Sequence, residues 1–77
     1  MKVKDLIEKL QTLPGDMIVV RHGYEGGATE LTNTKMKEIV LNYNEAWYYG
    51  EHELVEDLID RSAPFKAESI VTAILIY

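Results

Sequence analysis

The 77-residue chain contains no cysteine, which excludes disulfides, thiolate nucleophiles and zinc ribbons together. No apolar run approaches the roughly 20 residues that a membrane-spanning helix requires, and the opening Met1-Lys2-Val3-Lys4-Asp5 lacks the apolar core and cleavage site of a secretory signal. The cytoplasm is therefore the expected address, with no membrane partner. Basic residues are also scarce. Eight Lys and Arg stand against thirteen Asp and Glu, and the resulting net charge of −5 repels phosphate backbones and argues against nucleic acid as a partner. The deficit is local: Glu45, Glu51, Glu53, Glu56, Asp57 and Asp60 follow one another with no Lys or Arg between them, so this segment carries the whole acidic surplus.

What is present suffices for a fold. A content of 47% hydrophobic and 27% charged residues is too apolar for a disordered acidic tail. A chain of this length makes a single domain, residues 1–77, with a thin core, because it buries only roughly 60% of the surface its unfolded form exposes.

The stretch Leu13-Pro14-Gly15-Asp16-Met17-Ile18-Val19-Val20-Arg21-His22-Gly23-Tyr24-Glu25-Gly26-Gly27 organises the rest. Pro14 has no amide hydrogen and its ring collides with the carbonyl one turn back, so a helix must stop before it. Met17 to Val20 is an apolar, β-branched run of strand length that reads as buried on both faces. Gly23, Gly26 and Gly27 then offer the positive φ that a tight reversal needs. Leu13-Pro14, Asp16, Val19-Val20 and Gly23 to Gly27, together with Trp47-Tyr48-Tyr49-Gly50, resemble a family of small phage and bacterial proteins that begin with a short helix and carry an "LPxD…VV…GYEGG" core. The resemblance covers most of the first fifty residues and thins out after His52. It implies a prokaryotic or phage origin and the order of the first elements; the family brings no assigned activity and no catalytic residue.

Val3, Leu6, Ile7, Leu10 and Leu13 recur at helical spacing and predict a long amphipathic N-terminal helix. Lys2, which has no side-chain acceptor, is a poor cap for it. Met17–Tyr24 reads as the first strand, residues 28–31 as an early start to the second, Asn33 as a turn or bulge, and Met36–Tyr43 as the second strand, antiparallel to the first. Leu54, Val55, Leu58 and Ile59 mark a short second helix over Glu51–Asp60, ended by Ser62-Ala63-Pro64. Ser69–Tyr77 is apolar on both faces, the composition of an interior strand. The expected fold is α+β in the order α-β-β-α-β: a three-stranded, mainly antiparallel sheet with the long helix packed on it.

Several candidate sites each have a plain structural reading beside them. Gly23-x-x-Gly26-Gly27 lacks the Lys-Ser/Thr and helix of a phosphate loop and reads as a structural turn, as Pro14 reads as a structural stop. His52 and Glu56, four apart on the expected second helix with Glu53 and Asp57 beside them, could offer two metal ligands, with His22 as a third; this defines the alternative of a small metal- or ligand-dependent enzyme. Charges at helical spacing more often form a solvated face, and neither a metal nor a cofactor is the expectation. Ser62 and Ser69 have no histidine near in sequence to act as their base, and no catalytic residue is assigned.

Trp47, Tyr48 and Tyr49 depart most from a plain domain, since no single period puts three consecutive large aromatics into one small core. They either plug the edge of that core or form a binding surface. With Glu53 and Asp57 they make up the expected partner-binding set of a small non-enzymatic, phage-type or mobile-element accessory module that recognises a basic protein surface. A homo-oligomer, using a strand edge or the aromatic patch, is the further partner reading.

Overall fold

A computed structural model describes every residue from Met1 to Tyr77. The chain is α+β with antiparallel sheets and divides into two compact units, Met1–Leu31 and Thr32–Tyr77.

In the first unit, helix α1 spans Val3–Leu10, eight residues rather than the long helix that the apolar spacing predicts. Proline explains the early stop. The Leu10 carbonyl would receive the amide of residue 14, but Pro14 has none, and it accepts instead from Leu13 at 3.1 Å, a tighter turn than an α-helix makes. Thr12 reinforces the stop by donating its hydroxyl to the Lys9 carbonyl at 2.8 Å. At the other end Lys2 has no side-chain cap, and the Asp5 carboxylate accepts from the Lys2 amide at 3.2 Å. The apolar stripe is correctly phased but largely uncovered: Val3, Ile7, Leu10 and Leu13 are all exposed, Leu10 by 43%, and Leu6 alone is half-buried.

Strand β1 is Val20–His22 and pairs with β2, Ala28–Glu30, in a two-stranded hairpin with Arg21 opposite Thr29. The expected strand Met17–Tyr24 is thus shortened at both ends, its antiparallel partner is 28–30 rather than 36–43, and the Met17–Val20 run is exposed rather than buried. Pro14-Gly15-Asp16-Met17 forms a turn closed by the Met17 amide on the Pro14 carbonyl, and the Leu31 amide on the Val19 carbonyl continues the ladder one step further. The glycine reversal is real, but its three glycines serve differently. Gly26 and Gly27 have φ of 140° and 68°. Gly23 does not take positive φ; a Cβ on it would overlap the Gly26 carbonyl oxygen.

The second unit holds a three-stranded sheet in the order β4-β3-β5, with β3 at Thr34–Val40, β4 at Glu53–Leu54 and β5 at Ile70–Ile76, both pairings antiparallel. β3 is central and β5 is an edge strand, which reverses the expectation that the doubly apolar C-terminal strand lies inside. Asn33, expected at a turn or bulge, extends the ladder, exchanging backbone bonds with Tyr77 at 2.7 and 2.9 Å. Helix α2 spans Val55–Asp60, four residues shorter than expected because Glu53–Leu54 is strand β4 and Glu51 and His52 lie in the bend before it. It closes with the Ser62 amide on the Ile59 carbonyl and the Ala63 amide on the Leu58 carbonyl, with Ser62 at φ 53°, the left-handed turn that usually carries glycine. Two side chains are buried in the whole chain, Val40 on β3 and Leu58 on α2, at 3% and 0% exposure. The strands thus form two small sheets, one in each unit, rather than the one three-stranded sheet expected, and α1 is short and lies in the unit of the hairpin.

Candidate protein-binding surface

The segment between β3 and β4 is a loop whose two arms are tied together chiefly by Asn44. The Asn44 amide donates to the Glu51 carbonyl at 3.0 Å, and its side-chain Nδ2 reaches the carbonyls of Gly50 at 2.9 Å and His52 at 3.3 Å and the Glu53 carboxylate at 3.3 Å. An amide NH2 has two hydrogens to give, and these acceptors converge on them from the returning strand. Inside the loop the Tyr49 amide donates to the Ala46 carbonyl at 3.1 Å, making a tight turn that turns the aromatics outwards. Trp47 is 93% exposed, and Tyr48 and Tyr49 are exposed as well. Tyr48 meets both of its neighbours: Trp47 edge-to-face at 5.6 Å between centroids, and Tyr49 at 5.2 Å, tilted at 45°. None of the three is a core plug.

Tyr49 lines a shallow depression of about 400 Å³ together with Glu53, Asp57, Asp60 and Arg61. The last aromatic of the loop and the acidic face of α2 therefore share one surface. Glu53 differs from its neighbours: it is only half-exposed, and its carboxylate accepts from Asn44 Nδ2 at 3.3 Å and from its own chain at the Leu54 amide at 3.1 Å, and lies 3.5 Å from the Arg61 guanidinium. It holds the loop to the helix, whereas Asp57 and Asp60 are exposed. Asn44 and Arg61 were not candidates by sequence. Only the coming together of Asn44 with Gly50 and His52 gives its amide a role, and no local pattern marks that.

The His52–Glu56 pair of the metal-dependent alternative is not brought together. His52 lies ahead of β4 rather than on α2; its Nδ1 accepts the Asn42 amide at 2.9 Å, and its Nε2 is 3.5 Å from the Glu51 carboxylate. Glu56 is engaged elsewhere, accepting from Lys37 Nζ at 2.8 Å. That hydrogen bond, the charge of Lys37 and, less, the charge of Lys35 hold the Glu56 carboxyl below its usual value against a small opposing effect of burial. No group of three or more His, Asp or Glu is arranged to hold a metal ion, and His22 sits on β1 in the other unit. No helix is long and apolar enough to cross a membrane. Comparison with protein-family models, with curated proteins and with solved structures gave no match for this chain.

Proposed function

We propose that the protein is a small non-enzymatic interaction module that binds a basic protein surface through the 44–51 aromatic loop and the acidic face of α2, acting in the cytoplasm as a phage-type or mobile-element accessory protein. The observation that carries the reading is the shared surface of Tyr49 with Glu53, Asp57 and Asp60, beside a Trp47 that is almost wholly exposed. Exposing a large, rigid aromatic costs solubility and gains nothing in folding, while aromatic anchors supply most of the energy in protein interfaces and surrounding charges set encounter rate and partner sign. The accessory role rests on the resemblance carried by Leu13-Pro14, Asp16, Val19-Val20 and Gly23 to Gly27. The metal- or ligand-dependent alternative has no observation in its favour, since His52 is committed to the Asn42 amide and Glu56 to Lys37.

The test is a binding screen against a peptide array that varies Lys and Arg content, followed by calorimetric titration of the best binder, a readout that does not depend on Trp47, the only tryptophan. Trp47→Ala and Tyr49→Ala should each weaken binding by about 2 kcal/mol with little change in folding stability. Asp57→Lys should slow association and flatten its salt dependence. Binding that ignores Lys and Arg content, or that survives both aromatic substitutions, refutes the proposal.

A further inference from the structure

The free edge of β5 bears none of the features that keep a sheet edge from pairing. Ile70-Val71-Thr72-Ala73-Ile74-Leu75-Ile76 has no charge, no proline and no glycine, and its two ends are as apolar as its middle. The hydrogen bonds to β3 show which backbone groups are left over. Asn33 and Tyr77 exchange both bonds, and the Leu41 amide donates to the Ser69 carbonyl, so in this register the odd-numbered residues of β5 face β3. The even-numbered residues Thr72, Ile74 and Ile76 therefore turn both amide and carbonyl away from the sheet, and Ile70 turns its carbonyl away while its amide is taken by Ala67. Thr72, Ile74 and Ile76 are all exposed.

We infer that this edge pairs with the same edge of a second copy, antiparallel about a two-fold axis at Ala73. An antiparallel pair hydrogen-bonds only where two outward-facing residues oppose each other, and a strand meets itself that way when the positions of opposed residues share the right parity. With Ala73 on the axis, Thr72 opposes Ile74 of the second copy, Ile74 opposes Thr72, and Ile70 and Ile76 oppose each other, so outward-facing residues meet outward-facing residues along the whole strand. It is also the register in which all seven residues of each strand overlap. The residue on the axis is alanine, whose small side chain suits the close, non-hydrogen-bonded position where two copies of one residue must pass. The union joins two β4-β3-β5 sheets into one continuous sheet and removes the edge from both copies.

A second copy fits this strand better than a charged partner does, because no side chain on the strand offers a charge to recognise. The contact is small. A strand of seven residues is about 24 Å long, and a sheet edge about 10 Å deep gives about 250 Å² per partner, well under the roughly 800 Å² of a durable dimer. Association should therefore be weak and in rapid exchange, and because each copy carries −5 it should strengthen as salt rises, opposite to the salt response of a basic partner at the acidic helix.

Sedimentation and amide exchange on the full chain from about 10 μM to about 1 mM, at low and high salt, test this. The expected result is a monomer passing to a dimer across that range, more readily in high salt, with the Thr72 and Ile74 amides gaining protection as concentration rises while those of Ala73 and Leu75, bonded to β3, do not change. Thr72→Lys with Ile74→Lys places like charges face to face in the Ala73 register and should shift the transition at least tenfold upwards; Thr72→Lys with Ile74→Glu places opposite charges face to face and should restore it, provided circular dichroism shows both variants folded. A monomer at every concentration, protection that does not depend on concentration, or a Lys/Glu variant that associates no better than the Lys/Lys variant overturns the inference. The exchange experiment decides the matter on the unaltered chain if the variants do not fold.

Discussion

Replacing Asn44 by alanine should loosen the aromatic loop without removing an apolar contact. Nδ2 of Asn44 supplies bonds at 2.9 Å to Gly50 and 3.3 Å to His52 and Glu53, and Asn44 itself is half-buried. Its two hydrogens satisfy at most two of these acceptors well at once, and each such bond contributes about 0.5–1.5 kcal/mol net. The Glu53 carboxylate keeps Arg61 at 3.5 Å and the Leu54 amide, so the loss falls mainly on the two carbonyls. The expected cost is about 1–3 kcal/mol, measured as a shift in the urea midpoint at unchanged slope. Amide exchange localises it: the Asn44 and Tyr49 amides, bonded to Glu51 and Ala46, should exchange faster, while those of β3 that pair with β5 keep their order of protection. Asn44→Asp should be at least as damaging, because it sets a carboxylate against two carbonyls and Glu53. A midpoint within about 0.3 kcal/mol of the parent together with unchanged Asn44 and Tyr49 exchange would show that the loop is held by something other than this amide.

Leu58→Ala should cost about 2–5 kcal/mol and threaten the fold of the second unit, whereas Leu10→Ala, at a half-exposed position, should cost less than about 1.5 kcal/mol; equal losses in chemical denaturation would contradict the burial described for the two leucines. Gly23→Ala forces a Cβ into the Gly26 carbonyl and should destabilise the β1–β2 hairpin by more than about 1 kcal/mol, read as faster exchange of the Gly23 and Leu31 amides; a stabilised hairpin would refute the steric argument. Because Lys37 holds the Glu56 carboxyl below its unfolded value, the pair's contribution is complete above the ordinary carboxylate range and disappears as pH falls through the lowered folded value. The stability gap between the parent and Glu56→Gln should therefore hold steady from neutral pH down to the ordinary carboxylate range and close as pH falls below it, and a gap that stays constant throughout would mean that the ion pair does not contribute.

Sequence alone determined what depends on covalent constraint and on short range. Pro14 ended the first helix because a missing amide cannot be supplied by any neighbour, although how early it ended depended on Leu10 finding the Leu13 amide one residue sooner. The 23–27 glycines made the reversal, and Ser62-Ala63-Pro64 the end of α2, for equally local reasons. The exposure of the aromatics was legible in part, since three adjacent rings cannot all face one core, and the reading left open which of them stayed out; all three do.

Tertiary structure decided which strand pairs with which and what each apolar face covers. The β5 sequence is apolar on both sides whether it is central or at an edge, because side-chain pattern reports faces while edge position is a matter of backbone partners, and those are set by β3. The same holds for the stripe on α1, whose phase was readable and whose exposure was not. His52 and Glu56 were four residues apart on paper, but Glu53 and Leu54 of β4 pair with Val40 and Ile39 of β3, which keeps those two residues extended, leaves His52 ahead of them and removes the helical spacing that a shared ligand site would need. Asn44 gained its role only when the chain returned to place Gly50 and His52 against it, a convergence that no local pattern encodes because its partners are chosen by the path of the backbone.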